Sequence, residues 1–372
     1  MRQGVAAREA ASREGHGLGM RQATDPIACA AHAMPAAILE RQATQERQMR
    51  QSNRAPYRQV ARVLAAVYCV TVVAASALVG AWRRPHPSAV HRRLAEFFYY
   101  VPEMALHKAI ELEAFLRQRY EGRGVDLGCG FGQVGGILIA AAGLRDLHGV
   151  DSNRACHQSV LEAGYSNFTR CDIEALDLPD AAFDYAISVC VIEHIPNLEQ
   201  ALSEIARVLR PGGRLVFSTP APLFRESTLG YRFFRALGLR KRSEVFKVNK
   251  DLSAMQFHYL SGAEWATALG RAGFREVVVE EIFSRRQMLV YDLLNIQVNW
   301  MRFYFADKLA VSLGRHPLLR QRLVSATQTL AASLGAGEAR GVNEGTHYLI
   351  TCTRTADFVG DTKTTAGVEA TR

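Results

Sequence analysis

The stretch Gly124-Val125-Asp126-Leu127-Gly128-Cys129-Gly130-Phe131-Gly132 constrains the fold of this chain more than any other. A short strand carries an acid and runs straight into a glycine-rich turn. Glycine reaches backbone conformations closed to other residues, so the turn can be tight and can let a ligand approach the main chain. Gln133 to Ala142 follows as a helix of small residues. Leu147-His148-Gly149-Val150 is a second strand, ending at Asp151, and Ser152 to Ala163 a second helix. Asn167 to Cys171 is a third strand, ending at Asp172, and Phe183 to Val189 a fourth. The fourth is nearly all apolar, as a strand buried on both faces should be.

The alternation continues on both sides of this run. Glu103 to Arg119 reads as a helix. Asn197 can cap another, in which Leu198, Ala201, Leu202, Ile205 and Leu209 share one face. Arg210-Pro211-Gly212-Gly213 stops that helix. Arg214 to Ser218, Arg275 to Ile282 and His347 to Thr353 are further strands, and Ser261 to Ala272 a further helix. Strands and helices in alternation predict an α/β fold with a mostly parallel sheet covered on both faces. Two insertions interrupt it. One spans 220–259 and carries the basic run Arg240-Lys241-Arg242. The other spans 283–345 and is rich in aromatic residues, Tyr291 and Trp300 among them. A structureless loop of that length is improbable, so helices are expected there.

The net charge of +9 is unevenly placed. Residues 1–93 hold 14 arginines, no lysine and five acids, so they carry the whole excess and the remainder is balanced. That balance argues against nucleic acid as a partner of the α/β region. The chain divides into a basic N-terminal extension over 1–87, an α/β domain over 88–356 with its two insertions, and a flexible tail over 357–372. The first ~55 residues have few large apolar groups and are expected to be disordered. Val63 to Trp82 is an uncharged run of twenty residues, enough helix for a bilayer core of ~30 Å. Six of the twenty are alanine, so a helix packed on the domain is the competing reading. On the first, the chain is expected to be tethered to the cytoplasmic face of a membrane; on the second it is expected to be simply cytoplasmic. The seven cysteines show no C-x-x-C pair, which argues against a zinc ribbon and a disulfide framework. Cys129, Cys171 and Cys190 read as small buried fillers. No histidine–carboxylate cluster has ligand spacing along the chain, so no metal is expected.

Open parallel sheets bind ligands beyond the carboxyl ends of their strands, where Asp126, Asp151 and Asp172 fall. Gly130-x-Gly132-x-x-Gly135 matches the dinucleotide fingerprint, and Asp151 lies where that fingerprint wants its acid. A nicotinamide-dependent oxidoreductase is therefore an alternative. Two features point elsewhere: an acid, Asp126, already precedes the glycines, and a further acid, Asp172, closes the third strand. A ligand bearing an ammonium group gives Asp126 a purpose that a pyrophosphate does not.

These residues, with Phe183-Asp184-Tyr185-Ala186-Ile187-Ser188, Ile192-Glu193-His194-Ile195 and Leu209-Arg210-Pro211-Gly212-Gly213, make the chain similar to class I S-adenosylmethionine-dependent methyltransferases, of the methyltransferase type 11 kind. The resemblance covers roughly 95–282, with the last strand near 347–353. It implies a doubly wound, Rossmann-like sheet of seven strands whose last strand is antiparallel, and S-adenosylmethionine as cofactor. It implies that Asp126, Gly128, Cys129, Gly130 and Gly132 hold the methionine moiety. Asp151 and Ser152 fall to the ribose, Asp172 and Ile173 to the adenine, and Val189 and Cys190 to the methionine side. His194 is implied as a general base that also faces the acceptor, with His258 and Tyr259 lining the acceptor pocket. The competing reading for each histidine is a structural hydrogen bond. Tyr99 and Tyr100 read as packing residues, with a lid over the cofactor as the alternative. The basic run at 240–242 reads as a solvated loop, with an anionic acceptor or lipid head group as the alternative. The acceptor is expected to be a small or lipid-linked molecule, methylated on oxygen. A methyltransferase-like module that binds without catalysing is the remaining alternative.

Overall fold

The computed structural model describes residues 69–78, 80–81, 86–153, 156–295, 316–335 and 345–356. The expected disordered start, residues 63–68 of the uncharged run, Trp300 and its aromatic neighbours, and the C-terminal tail lie outside them. Two helices, α1 (Ala89–Phe98) and α2 (Pro102–Phe115), precede a seven-stranded sheet. Its strands are β1 (Gly124–Leu127), β2 (Leu147–Asp151), β3 (Asn167–Arg170), β4 (Phe183–Val189), β5 (Leu209–Pro220), β6 (Phe274–Glu281) and β7 (His347–Arg354). They lie in the order β3-β2-β1-β4-β5-β7-β6. β7 runs antiparallel to both of its neighbours and every other pairing is parallel. This is the doubly wound arrangement that the sequence predicted, with the antiparallel strand inserted between β5 and β6.

Side chains alternate across the strands, and the two faces build two cores. Val125, Leu127, Ala186, Phe217 and Ile350 pack on one side. There they meet α5 (Leu198–Val208) and α9 (Gly262–Arg271), whose Trp265 is fully buried. Tyr185, Ile187, Val216 and Leu349 pack on the other. There they meet α1, α2 and α3 (Gln133–Ala142). Local chemistry sets the helix ends. Asn197 accepts the Gln200 amide at the start of α5, and Ser261 and Glu264 form a capping box on α9. Gly132 and Gly143, both left-handed, bracket α3.

Three boundaries differ from expectation. The second βα helix forms only as α4 (His157–Glu162). The helix expected to reach Arg119 ends at Phe115. Arg210-Pro211-Gly212-Gly213 does more than stop α5, because β5 already begins at Leu209, paired with Phe183 ahead of an irregularity in the ladder. The first insertion folds as α6 (Pro222–Ser227), α7 (Leu229–Ala236) and α8 (Arg240–Ala254). The basic run at 240–242 therefore opens a helix and is no loop. In the second insertion, residues 285–295 are helical, and α10 spans Pro317–Gly335.

The described part of the uncharged N-terminal run is helical and lies on the domain. Cys69 and Val72 are buried with Leu323, Ala326 and Leu330 of α10. A side chain at Gly80 would come 3.0 Å from Thr329. Among the described residues, no helix is long and apolar enough to cross a membrane. Tyr99 belongs to this same packing cluster, with the Arg320 guanidinium over its ring, so the pair at 99–100 packs rather than forming a lid.

Candidate functional site

Asp126 on β1 is paired in register with Gly149 and, through β2, lies level with Phe168. Its carboxylate is buried, and the Tyr165 hydroxyl donates to Oδ2 at 2.5 Å. Burial pushes its pKa up to about 7, against the pull of the Tyr165 hydrogen bond, and the charge of Asp151 adds to the rise. Gly135 makes this pair possible. A Cβ there would lie 1.7 Å from the Tyr165 hydroxyl and 2.6 Å from Asp126 Oδ2.

The glycine turn is fixed against β2. The amides of Gly128 and Cys129 both donate to the Val150 carbonyl, at 2.8 and 3.0 Å. Gly128, Gly130 and Gly132 all have positive φ, between 54° and 79°. Asp151, buried at the end of β2, accepts from the amides of Gly130 and Asn153, each at 2.9 Å. An ionised carboxylate offers about four lone-pair sites, so both oxygens keep acceptor capacity for further hydroxyls. The Ser152 carbonyl accepts from Arg170 Nε at 3.0 Å. Asp172 is exposed just past β3 and takes the Glu174 amide at 3.0 Å, while Ile173 is buried beside it. The fold thus gathers the three acids of the sequence reading along one sheet edge.

Val189 ends β4, and Cys190 follows it at a φ of 54°. The Cys190 amide donates to the carbonyl and the hydroxyl of Ser218, at 3.2 and 3.1 Å. Its thiol donates to Glu111 Oε1 at 2.8 Å, and the Ser218 hydroxyl reaches the same oxygen at 2.6 Å. Cys190 is thus part of a polar network and more than the filler it was read as. Lys108 binds Glu111 Oε2 at 2.7 Å. Next to this buried pair lie His107 and His347, with ring centres 4.7 Å apart. Burial holds both imidazoles neutral, His107 at about 4 and His347 well below its usual range. Glu111 stays ionised because the Lys108 charge and the hydrogen bonds from Cys190 and Lys108 offset its burial. Donor atoms of His107, Cys190 and His347 lie within 4.8 Å of one another. The Lys108 ammonium already supplies a cation to this cluster, which opposes a second one.

Sequence reasoning missed His107, Lys108, Glu111 and His347. A signal for three of them was present. α2 reads Pro-Glu-Met-Ala-Leu-His-Lys-Ala-Ile-Glu-Leu-Glu-Ala-Phe, with apolar residues on every side and no wet face to receive its charges. His347 carried none, because its partners come from the other end of the chain.

His194 and His258 stitch two segments together. His194 Nδ1 lies 2.9 Å from the Met255 carbonyl, and His258 Nε2 lies 2.8 Å from the Ile195 carbonyl. The Phe257 amide donates to the Glu193 carbonyl at 2.8 Å. A carbonyl only accepts, so Nδ1 of His194 donates in this contact and Nε2 is its other ring nitrogen. That Nε2 lies 3.8 Å from the buried carboxyl of Glu193. Tyr259 is half-buried, stacked on Phe224 at 6.2 Å, with the Arg225 guanidinium over its ring and its hydroxyl donating to Gln256.

Comparison with known proteins agrees with this geometry. Residues 125–217 match the methyltransferase domain family. The chain is 35% identical over 150 residues to the malonyl-[acyl-carrier protein] O-methyltransferase of Methylococcus capsulatus, covering 36% of this chain and 51% of that protein. It is 32% identical over 131 residues to sterol 24-C-methyltransferase erg-4 of Neurospora crassa, covering 32% of this chain and 34% of that protein. The matches thus span about a third to a half of those relatives. A solved S-adenosylmethionine-dependent methyltransferase from Thermotoga maritima is 18% identical with a TM-score of 0.42, covering 70% of this chain and 92% of that one. The match over residues 125–217, the sheet topology and the strand-end acids together support a class I S-adenosylmethionine-dependent methyltransferase fold.

Proposed function

We propose that this protein moves the methyl group of S-adenosylmethionine to an oxygen atom of a small-molecule or lipid-linked acceptor. The observation that carries the reading is the pair of buried carboxylates, Asp126 and Asp151, held by Tyr165 and by the glycine turn at one sheet edge. Asp126 is a buried acid next to a turn with open space, since a Cβ at Gly130 would meet nothing within 4 Å. An ammonium suits it, because ionising a buried carboxylate is favourable only beside a positive charge. Asp151 would take the ribose hydroxyls with Ser152 beside it, Asp172 and Ile173 the adenine, and Val189 and Cys190 the methionine chain.

When bound, the cofactor supplies an electrophilic methyl group on a sulfonium. The residues then have to align the acceptor and remove its proton. Alignment alone can supply a large share of the acceleration. His194 is the base in this reading, with Nδ1 anchored on the Met255 carbonyl and Nε2 as the atom that would take the proton. His258 fixes the segment that follows His194, and Tyr259 stands beside Phe224 as a wall of the acceptor side. The relatives include an oxygen and a carbon methyltransferase. Oxygen is preferred here because a hydroxyl acceptor needs a base, and this site offers the imidazole of His194.

The test is transfer of labelled methyl from S-adenosylmethionine to membrane lipid extracts, soluble metabolite extracts and total RNA. Label in lipid or small molecules, released as methanol or by ether cleavage, supports the reading. Label confined to RNA or protein refutes it.

A further inference from the structure

We infer that the α7–α8 hairpin is a docking surface for an anionic lipid bilayer. Its role in delivering a lipid-linked acceptor rests on the function proposed above; the docking itself does not. The hairpin holds seven basic residues over 229–254 against two acids, Glu244 and Asp251. Both acids are already engaged, Glu244 by Lys247 and Asp251 by Arg225. Lys250 is held by Asp292. Arg232, Arg240, Lys241 and Arg242 are exposed and make no ion pair with a described residue.

Large apolar side chains stand exposed among these charges. Phe233 on α7 and Leu237, which caps its end, are 59% and 58% exposed. Val245, Val248 and Leu252 follow at helical spacing on α8, between 48% and 60% exposed. The inner faces of the two helices are satisfied separately. Phe234 meets Phe246 at 6.1 Å, and Gly230 leaves room for the Phe246 ring, which a Cβ there would meet at 2.2 Å. The outer apolar stripe is therefore surplus to the packing of the hairpin.

Exposed apolar side chains flanked by arginine and lysine are the pattern of helices that lie in the interface of an anionic membrane. A protein partner would have to match both the charge and the stripe. A bilayer does so without shape complementarity, because its head groups meet the arginines and its acyl boundary meets the stripe. The hairpin also abuts the acceptor side. Lys250 lies over the Phe224 ring at 5.5 Å, and Arg225, tied to Asp251 of α8, lies over Tyr259. A bilayer on the outer face would thus sit next to the wall that Tyr259 and Phe224 form.

The experiment is flotation of the full chain with vesicles of phosphatidylcholine alone and of phosphatidylcholine mixed with phosphatidylglycerol. Two variants accompany it, Arg240→Glu/Lys241→Glu/Arg242→Glu and Phe233→Ser/Val248→Ser/Leu252→Ser. Each leaves residues 1–87 intact, so binding through that basic segment is a constant background. Far-ultraviolet circular dichroism and S-adenosylmethionine affinity show that each variant is folded, and a missing cofactor signal in the parent would count against the methyltransfer reading alone. The parent should bind the anionic vesicles and not the neutral ones. Each lost basic contact should weaken binding about fivefold, and removal of the stripe should weaken it as much or more. Equal binding by parent and variants overturns the proposal, as does no binding by the parent. Self-association of the parent that both variants abolish also overturns it, in favour of a second copy of the chain.

Discussion

At the scale of single residues, Asp126 is the group whose behaviour is most open to measurement. Its folded pKa of about 7 lies above the ordinary aspartate value of about 4. The unliganded protein should therefore lose stability as pH rises from about 4 through 7, because a buried carboxylate is being ionised without a cation. Cofactor affinity should change in the opposite direction, rising through the same window as the carboxylate becomes available to an ammonium. Melting temperature and calorimetric titration at pH 6 and pH 8 check both. Asp126→Asn should flatten both dependences and weaken binding by about 2 kcal/mol, roughly thirtyfold. Gly135→Ala should act through the same pair, since its methyl group overlaps the Tyr165 hydroxyl. Overpacking of this kind costs about 1–3 kcal/mol, read by chemical denaturation. The acids and glycines were legible in the sequence because chain-local spacing reports a strand end and a turn. Tyr165 was not, because its contact with Asp126 depends on where the third strand packs.

Among the elements, α2 is the one whose chemistry the sequence concealed. Its periodicity marks a helix, and nothing local reveals that Lys108 and Glu111 pair inside the protein. Removing one partner of a buried pair leaves the other as an uncompensated charge. Glu111→Ala should therefore destabilise the fold by about 3–5 kcal/mol, and should also strip Cys190 and Ser218 of their common acceptor. The double change Lys108→Met/Glu111→Leu should recover most of that loss, because it removes both charges and keeps the volume. Denaturant midpoints of the three proteins check the pattern. The strands were the most readable elements, since their apolar runs need no partner to be recognised. Helix ends were the least readable. The second βα helix shrinks to α4, and β5 starts within what the Pro-Gly-Gly signal marked as a stop.

On the scale of the whole molecule, the run from Val63 to Trp82 illustrates what composition leaves open. Twenty uncharged residues satisfy a bilayer and a protein groove equally well. The fold chooses the groove for its described part, where Val72 is fully buried against α10. Val72→Asp should therefore lower global stability by about 3 kcal/mol, because it buries an unpaired charge. A denaturation midpoint equal to that of the parent would return this segment to the membrane reading. Topology was readable as far as five parallel strands in succession; the site between β4, β5 and α2 was not, since it joins residues from both ends of the chain. The placing of β7 has a consequence for biosynthesis. β6 can join the sheet only through β7, so a nascent chain must leave the β5 edge open while both insertions emerge from the ribosome. An open edge is a template for pairing with the wrong chain, and late-completed sheets are where a cell's folding helpers are needed. The last strand to be made acts as the keystone of the sheet, and recombinant yield of this protein should depend on how quickly synthesis reaches it.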